Sequence, residues 1–207
     1  GGGRRSGPAP GWGEGKTNNN SFVHSGGLVS CPPAGIAYNA PLEEHRGEGA
    51  SLMAVQFVYL ADYPQFVPTL AQWHYDTFGP LNPASSLEKH LTFLRRSLTK
   101  RAIPTTLIAL SGDELVGSAS LAQSDLHDLV SFTPWLSAVY IAPEYRRRGI
   151  GSALVQRMVE EAKGLGYRRL YLFTPDKEHF YARLGWTTLE KMPYREITIV
   201  IMSMALD

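Results

Sequence analysis

The chain has 207 residues with 20 basic and 19 acidic side chains, a formal net charge of +1, which excludes a broad basic field for nucleic acid. Hydrophobic residues at 43% and charged residues at 19% are ordinary globular usage, so neither a disordered nor a fibrous protein fits. No apolar run approaches the roughly 18 residues of a membrane span, and the single cysteine, Cys31, can form neither an internal disulfide nor a cysteine metal cluster. A soluble, cytoplasmic protein with one core is expected, without membrane or nucleic-acid partners.

The opening stretch differs from the rest. Twelve Gly and 5 Pro fall in the first 50 residues, against 8 and 9 in the remaining 157. Gly1-Gly2-Gly3 and Asn18-Asn19-Asn20 are low-complexity, and no period persists long enough to bury a face. Residues 1–52 are therefore expected to be a disordered, loosely docked or appended extension. Met53, directly before the first strand pattern, is the expected natural start of a folded domain over 53–207, although a core methionine is the plainer reading.

From there the pattern is regular. Val55 to Leu60 reads as a buried strand. Pro64 opens a helix to Phe78, with Phe66, Leu70, Trp73 and Thr77 at spacings of three and four, and Gly79-Pro80 stops it. Ser85-Ser86-Leu87-Glu88 reads as a capping box with Ser85 as the cap, starting a helix to about Lys100. Thr105–Leu110, the Ser111-Gly112-Asp113 turn and Leu115–Leu121 make a hairpin. Trp135–Ile141 is a strand, Gly149–Leu165 a long helix, Arg169–Phe173 a strand and His179–Leu184 a short helix. Trp186–Leu189 and Ile197–Met204 are the last two strands. This order argues an α/β domain with a mixed sheet of about seven strands flanked by about four helices.

The most informative stretch runs from Tyr140 to Leu154. A strand ends, Arg146-Arg147-Arg148 follow, then Gly149-Ile150-Gly151-Ser152 enter a helix at once. A helix start leaves about four N–H groups unpaired at the positive end of its dipole. Glycine there lets backbone approach a phosphate without a Cβ in the way, so the stretch is a site for a diphosphate. It lacks the Gly-Lys-Ser/Thr of a Walker loop and the third glycine of the dinucleotide fingerprint.

Arg146-x-x-Gly149-x-Gly151, after the strand ending Val139-Tyr140-Ile141-Ala142-Pro143, resembles motif A of the GNAT superfamily of N-acetyltransferases. Phe180-Tyr181-Ala182-Arg183-Leu184-Gly185-Trp186 resembles the motif B signature of the same family. The likeness spans about Val55 to Leu206. It implies a sheet splayed between its fourth and fifth strands, with acetyl-CoA as cosubstrate. Pantetheine would lie along Val139, Tyr140 and Ile141, and the diphosphate on Arg146, Arg147, Arg148, Gly149, Ile150, Gly151 and Ser152. It further implies Tyr181 as the general acid for the departing thiolate, a role open to a phenol that stays protonated near neutrality. The other reading of Tyr181, a packed core aromatic, stands beside it.

The resemblance implies that the acceptor is a primary amine of a small molecule or peptide. The helix carrying Trp73, His74 and Asp76, together with Trp135, is read as its wall, or alternatively as core aromatics with a solvated Asp76. The strand 135–139 has no carboxylate where many relatives of this family place a glutamate. Asp125, His127 and Asp128, just before it, are loop candidates for the base beside a water chain. No metal-ligand spacing is present, and no core cysteine could carry an acyl group, so direct attack in a ternary complex follows. An acyl-CoA sensor without turnover is the alternative from another class. Aminoglycoside acetylation and a homodimer both remain open at this point.

Overall fold

The computed structural model of the chain describes residues 54–126 and 132–207. The expected boundary at 52/53 and Met53, Cys31, His127 and Asp128 lie outside them. Seven strands form one sheet: β1 (Val55–Tyr59), β2 (Thr105–Ser111), β3 (Glu114–Ala122), β4 (Trp135–Ile141), β5 (Arg169–Thr174), β6 (Thr187–Tyr194) and β7 (Ile197–Ala205). Their spatial order is β1-β2-β3-β4-β5-β7-β6. Four helices accompany them: α1 (Val67–Phe78), α2 (Leu87–Arg96), α3 (Ile150–Gly164) and α4 (Glu178–Ala182).

All neighbouring strands run antiparallel except β4 and β5, which are parallel and share one register pair, Trp135 with Tyr171. The expected splay is therefore present: beyond that pair the two strands part. A bulge explains why. Ser120 pairs with Ser137 and Ser118 with Tyr140, so β4 spends three residues where β3 spends two. Ala138 takes up the extra residue with a φ of 51°, and such an insertion bends a strand and increases its twist. Gly117 opposite makes the bend possible, since a Cβ there would lie 2.7 Å from the Tyr140 carbonyl oxygen.

The bulge also sorts side chains between faces. Leu136, Val139 and Ile141 pack toward α3, with Leu154, Val155 and Met158. Trp135 joins Leu126, Ile199 and Ile201 on the opposite face, where Tyr140 meets Trp73 of α1. Helices α1 and α2 cover the β1–β3 part of that face through Leu70, Ala71, Leu94, Ile108 and Leu110.

Under α2 the core is polar in one row. The Ser97 hydroxyl donates to the Leu94 carbonyl at 2.9 Å, so its 2.8 Å contact with Thr106 is a bond it accepts. Thr106 has then spent its proton and accepts in turn from Ser120 at 2.8 Å. All three side chains are buried, and the row satisfies hydroxyls that would otherwise each cost roughly 1–3 kcal/mol.

Several boundaries differ from expectation, and α1 begins at Val67 after a 3₁₀ turn over Pro64–Phe66 rather than at Pro64. Helix α2 is capped by Ser86, whose Oγ accepts from the Lys89 N–H at 3.3 Å, while the Ser85 hydroxyl is engaged with His90 Nε2 at 2.9 Å. The helix ends at Arg96 rather than near Lys100, and β6 runs on to Tyr194. At the tip of the β6–β7 hairpin, Arg195 Nη1 donates to the Leu81 carbonyl at 2.9 Å, tying this hairpin to the α1–α2 connection.

Two outcomes follow for stability. Ser86→Ala lowers the unfolding free energy by about 1 kcal/mol in urea titration, while Ser86→Asp, which caps equally well, retains it. The Tyr59 hydroxyl donates to Glu161 at 2.7 Å, and burial first, then that carboxylate, lifts the phenol to about 12. The unfolded chain sheds this proton near pH 10 while the folded chain keeps it, so this contribution is present below pH 10 and is lost toward pH 12. Tyr59→Phe flattens the fall in urea midpoint across that window.

Candidate active site

The end of β4 leads through a 3₁₀ turn, Pro143–Tyr145, and the three arginines to Gly149, the residue that caps α3. Gly149 sits at φ +79° with open space where a side chain would project. A left-handed φ is what glycine adopts without strain, and Arg147 at φ 61° precedes it. No side chain caps α3, and its first turn has no acidic residue. The N–H groups of that turn are thus left facing outward at the positive end of a 15-residue helix. A Cβ on Gly151 would meet only ordinary contacts, 3.6 Å from Ile141 and 3.8 Å from Phe180. The open approach therefore matters at 149 more than at 151. Ile150 is buried and Ser152 half-buried.

The arginines do not act as one cluster. Arg146 Nε donates to the Ile141 carbonyl at 2.8 Å, with its guanidinium 5.8 Å from the Tyr140 ring centre. Arg148 lies 5.2 Å over Tyr145, whose hydroxyl donates to Glu114 at 2.6 Å. All three arginines are exposed. Val139 and Ile141 face the α3 core and Tyr140 faces α1. Past Trp135, no register pair joins β4 to β5.

Tyr181 stands on α4, on the α3 face of the sheet, edge-on to Phe180 at 4.9 Å and to Trp186 at 6.0 Å. The residue is 9% exposed, and its hydroxyl is not among the sealed, unpartnered polar atoms. Burial, reinforced by the charge of Asp176, lifts the phenol to about 12. The ring thus packs as a core aromatic.

On the opposite face, Trp73 is half-buried with its ring 5.1 Å from that of Tyr140. Asp76 is exposed and accepts from Gln72 at 2.8 Å. Two expected wall residues turn inward instead. His74 is 1% exposed and bonds the Ser118 hydroxyl at 2.8 Å, and burial lowers its pKa to about 3. Trp135 is fully buried, its indole N–H donating to the Phe132 carbonyl. Both belong to the packing of the sheet rather than to an open wall. His74 lies three and four residues after the buried Ala71 and Leu70, and that helical spacing was the available signal for its burial.

Asp125, in the β3–β4 connection, keeps some surface, yet burial of its carboxyl raises it to about 6 while contact with Ser137 opposes the shift. A separate hollow of about 130 Å³ lies between Val155, Val159, Leu184, Trp186 and Met204, against the other flank of α3. Among the described residues no group of His, Cys, Asp and Glu is placed to hold a metal ion, and no helix is long and apolar enough to cross a membrane.

Solved structures share this fold at low identity. An acetyltransferase of the GNAT family from Desulfovibrio desulfuricans superposes with a TM-score of 0.60 at 19% identity, covering 74% of this chain and 100% of its own. An acetyltransferase from Salmonella typhimurium, solved with acetyl-CoA, gives 0.57 at 21% identity, covering 76% and 95%. An aminoglycoside 6'-N-acetyltransferase in complex with coenzyme A gives 0.56 at 17%, covering 73% and 97%. Among curated proteins, the amino-acid acetyltransferase of Pseudomonas aeruginosa is 33% identical over 60 residues, which are 28% of this chain and 14% of that protein. The counterpart from Aeromonas salmonicida is 40% identical over 55 residues, 27% of this chain and 12% of its own. The chain thus matches only a small part of the length of these relatives. The acetyltransferase (GNAT) family profile matches residues 67–186, more than half of the sequence, from α1 through Trp186, and the chain belongs to that family.

Proposed function

We propose that this protein moves an acetyl group from acetyl-CoA to a primary amine of a small molecule or peptide, by direct attack while both are bound. One observation carries the reading: the gap between β4 and β5 opens toward the uncapped start of α3. A strand edge without a partner suits an extended, amide-bearing pantetheine arm. Outward N–H groups at a helix start suit a diphosphate. A single chain stretch, Val139 to Ser152, supplies both, through the backbone of Val139, Tyr140 and Ile141 and through Arg146, Arg147, Arg148, Gly149, Ile150, Gly151 and Ser152.

Tyr181 is the proton donor for the departing sulfur. Its phenol at about 12 stands some 3.5 units above an ordinary thiol near 8.5, a mismatch of about 5 kcal/mol in water. The dry environment that lifts the phenol also lifts a thiol beside it, because burial disfavours both anions. The two therefore rise together and the mismatch narrows. Trp73 and Asp76 remain as acceptor-facing groups, an aromatic surface and a carboxylate suited to an amine cation. Holding amine and thioester side by side supplies much of the acceleration in such a site.

Thiol release from acetyl-CoA, followed over a panel of amines, tests the reading together with calorimetry for CoA. Turnover with intersecting initial-rate lines and no acetylated enzyme in the mass spectrum is expected; parallel lines would overturn direct attack. CoA binding with no turnover on any amine would instead favour a sensor. Tyr181→Phe lowers kcat about 100-fold and leaves CoA affinity within twofold, so equal turnover would remove Tyr181 from the chemistry.

A further inference from the structure

On the open edge of β4, one carbonyl already has a partner from this chain. Building on the acetyltransferase reading above, we propose that Arg146 sets donor specificity. It occupies the Ile141 carbonyl on that edge and yields it to a thioester whose diphosphate draws the guanidinium away.

Backbone direction comes first. The Ala142 N–H donates to the Val116 carbonyl at 2.9 Å, while Gly117 and Ile141 stand opposite each other. In an antiparallel ladder this pattern makes Gly117 and Ile141 a pair without mutual hydrogen bonds, since such pairs alternate with bonded ones. The N–H and C=O of Ile141 therefore turn away from β3, toward the side on which β5 parts from β4. No register pair joins the two strands there. Ile141 thus offers a donor and an acceptor to an extended guest, as a sheet edge does to an added peptide.

The acceptor is in use. Arg146 Nε donates to the Ile141 oxygen at 2.8 Å, within the range at which the N–H of an added strand would stand. Its guanidinium lies 5.8 Å from the centre of the Tyr140 ring, so the head group rests against the strand that precedes it. The 3₁₀ turn Pro143–Tyr145 brings it back. In that turn the Tyr145 N–H donates to the Ala142 carbonyl at 2.9 Å and the Arg146 N–H to the Pro143 carbonyl at 3.3 Å. Arg146 is exposed, and an exposed side chain rotates without disturbing the core. Of the three arginines it alone bonds the backbone of β4, for Arg148 lies over Tyr145.

One oxygen therefore has two claimants. A pantetheine arm that pairs with Ile141 displaces Arg146, and an arm without phosphate gives the displaced cation nothing in return. A diphosphate at the start of α3 does, because the planar guanidinium matches phosphate oxygens. Arg146 then exchanges a neutral acceptor for an anionic one as the carbonyl is released. This exchange couples the two halves of the donor: each binds more tightly when the other is present, and the coupling is reciprocal. A CoA thioester is thereby favoured over a short thioester by more than its own phosphate contacts supply.

The test uses the full chain with two probes, CoA followed by calorimetry and pantetheine, the uncharged arm alone, followed by NMR titration. Arg146→Met keeps an apolar stem and removes both the donor and the charge. It is expected to bind pantetheine about fivefold more tightly than wild type and CoA about tenfold more weakly. Arg147→Met removes an equal charge without touching Ile141, so its pantetheine affinity stays at the wild-type value. Unchanged or undetectable pantetheine binding by Arg146→Met overturns the assignment, since a carbonyl serving both donors at once would give that result. So does CoA affinity that does not fall, or an equal gain in Arg147→Met. Wild type carries an independent test, in which inorganic pyrophosphate tightens pantetheine binding about fivefold. No change or a loss there overturns the exchange whether or not any variant folds. Absence of CoA binding by folded wild type would instead remove the donor reading itself, and this assignment with it.

Discussion

Ala138, one residue at a left-handed φ, decides where this sheet divides. By taking up an extra position on β4 it bends the strand away from β5 after a single register pair, and Gly117 gives it room to do so. Without the bulge β4 would read as an ordinary central strand, paired on both edges and closed to any ligand. With it, a strand edge opens in the middle of a seven-stranded sheet while the outer pairings on both sides stay intact. The cost of a strained alanine, of order 1 kcal/mol or more, is offset by the packing of Leu136, Val139 and Ile141 against α3.

The same bulge couples the two ends of the site. It sends Tyr140 toward α1 and Ile141 toward α3, so that the strand touches one helix with one residue and braces the other with the next. Arg146 then locks the turn by bonding back to the Ile141 carbonyl. A local change in β4 is felt both at the start of α3 and at the Trp73–Tyr140 contact. Strand, turn and helix act as one bracket around the opening.

Much of this was legible in the sequence, and the parts that were not share a cause. The strand–arginine–glycine–helix order is local chemistry, so β4, the cap of α3 at Gly149 and the position of Tyr181 could be read directly. The bulge could not, because alanine carries no preference for a left-handed φ and only the pairing with Ser118 and Ser120 forces it there. Ser85 and Ser86 are equivalent as caps until His90 claims the first. His74 and Trp135 look like wall residues because polarity and aromaticity do not report depth. A histidine becomes a core residue once one buried hydroxyl, Ser118, answers it. Asp125 was visible as a carboxylate in a loop, but its desolvation arises only when the chain folds.

The hydroxyl row beneath α2 has an electrostatic consequence. Because Ser97 must give its proton to the Leu94 carbonyl, every O–H in the row points the same way, and none can reverse without breaking that bond. The row is a frozen dipole whose electron-rich terminus is the Ser120 oxygen, on the residue paired in register with Ser137. Ser120 is fully buried, so this polarity is fixed inside the protein and does not change with pH.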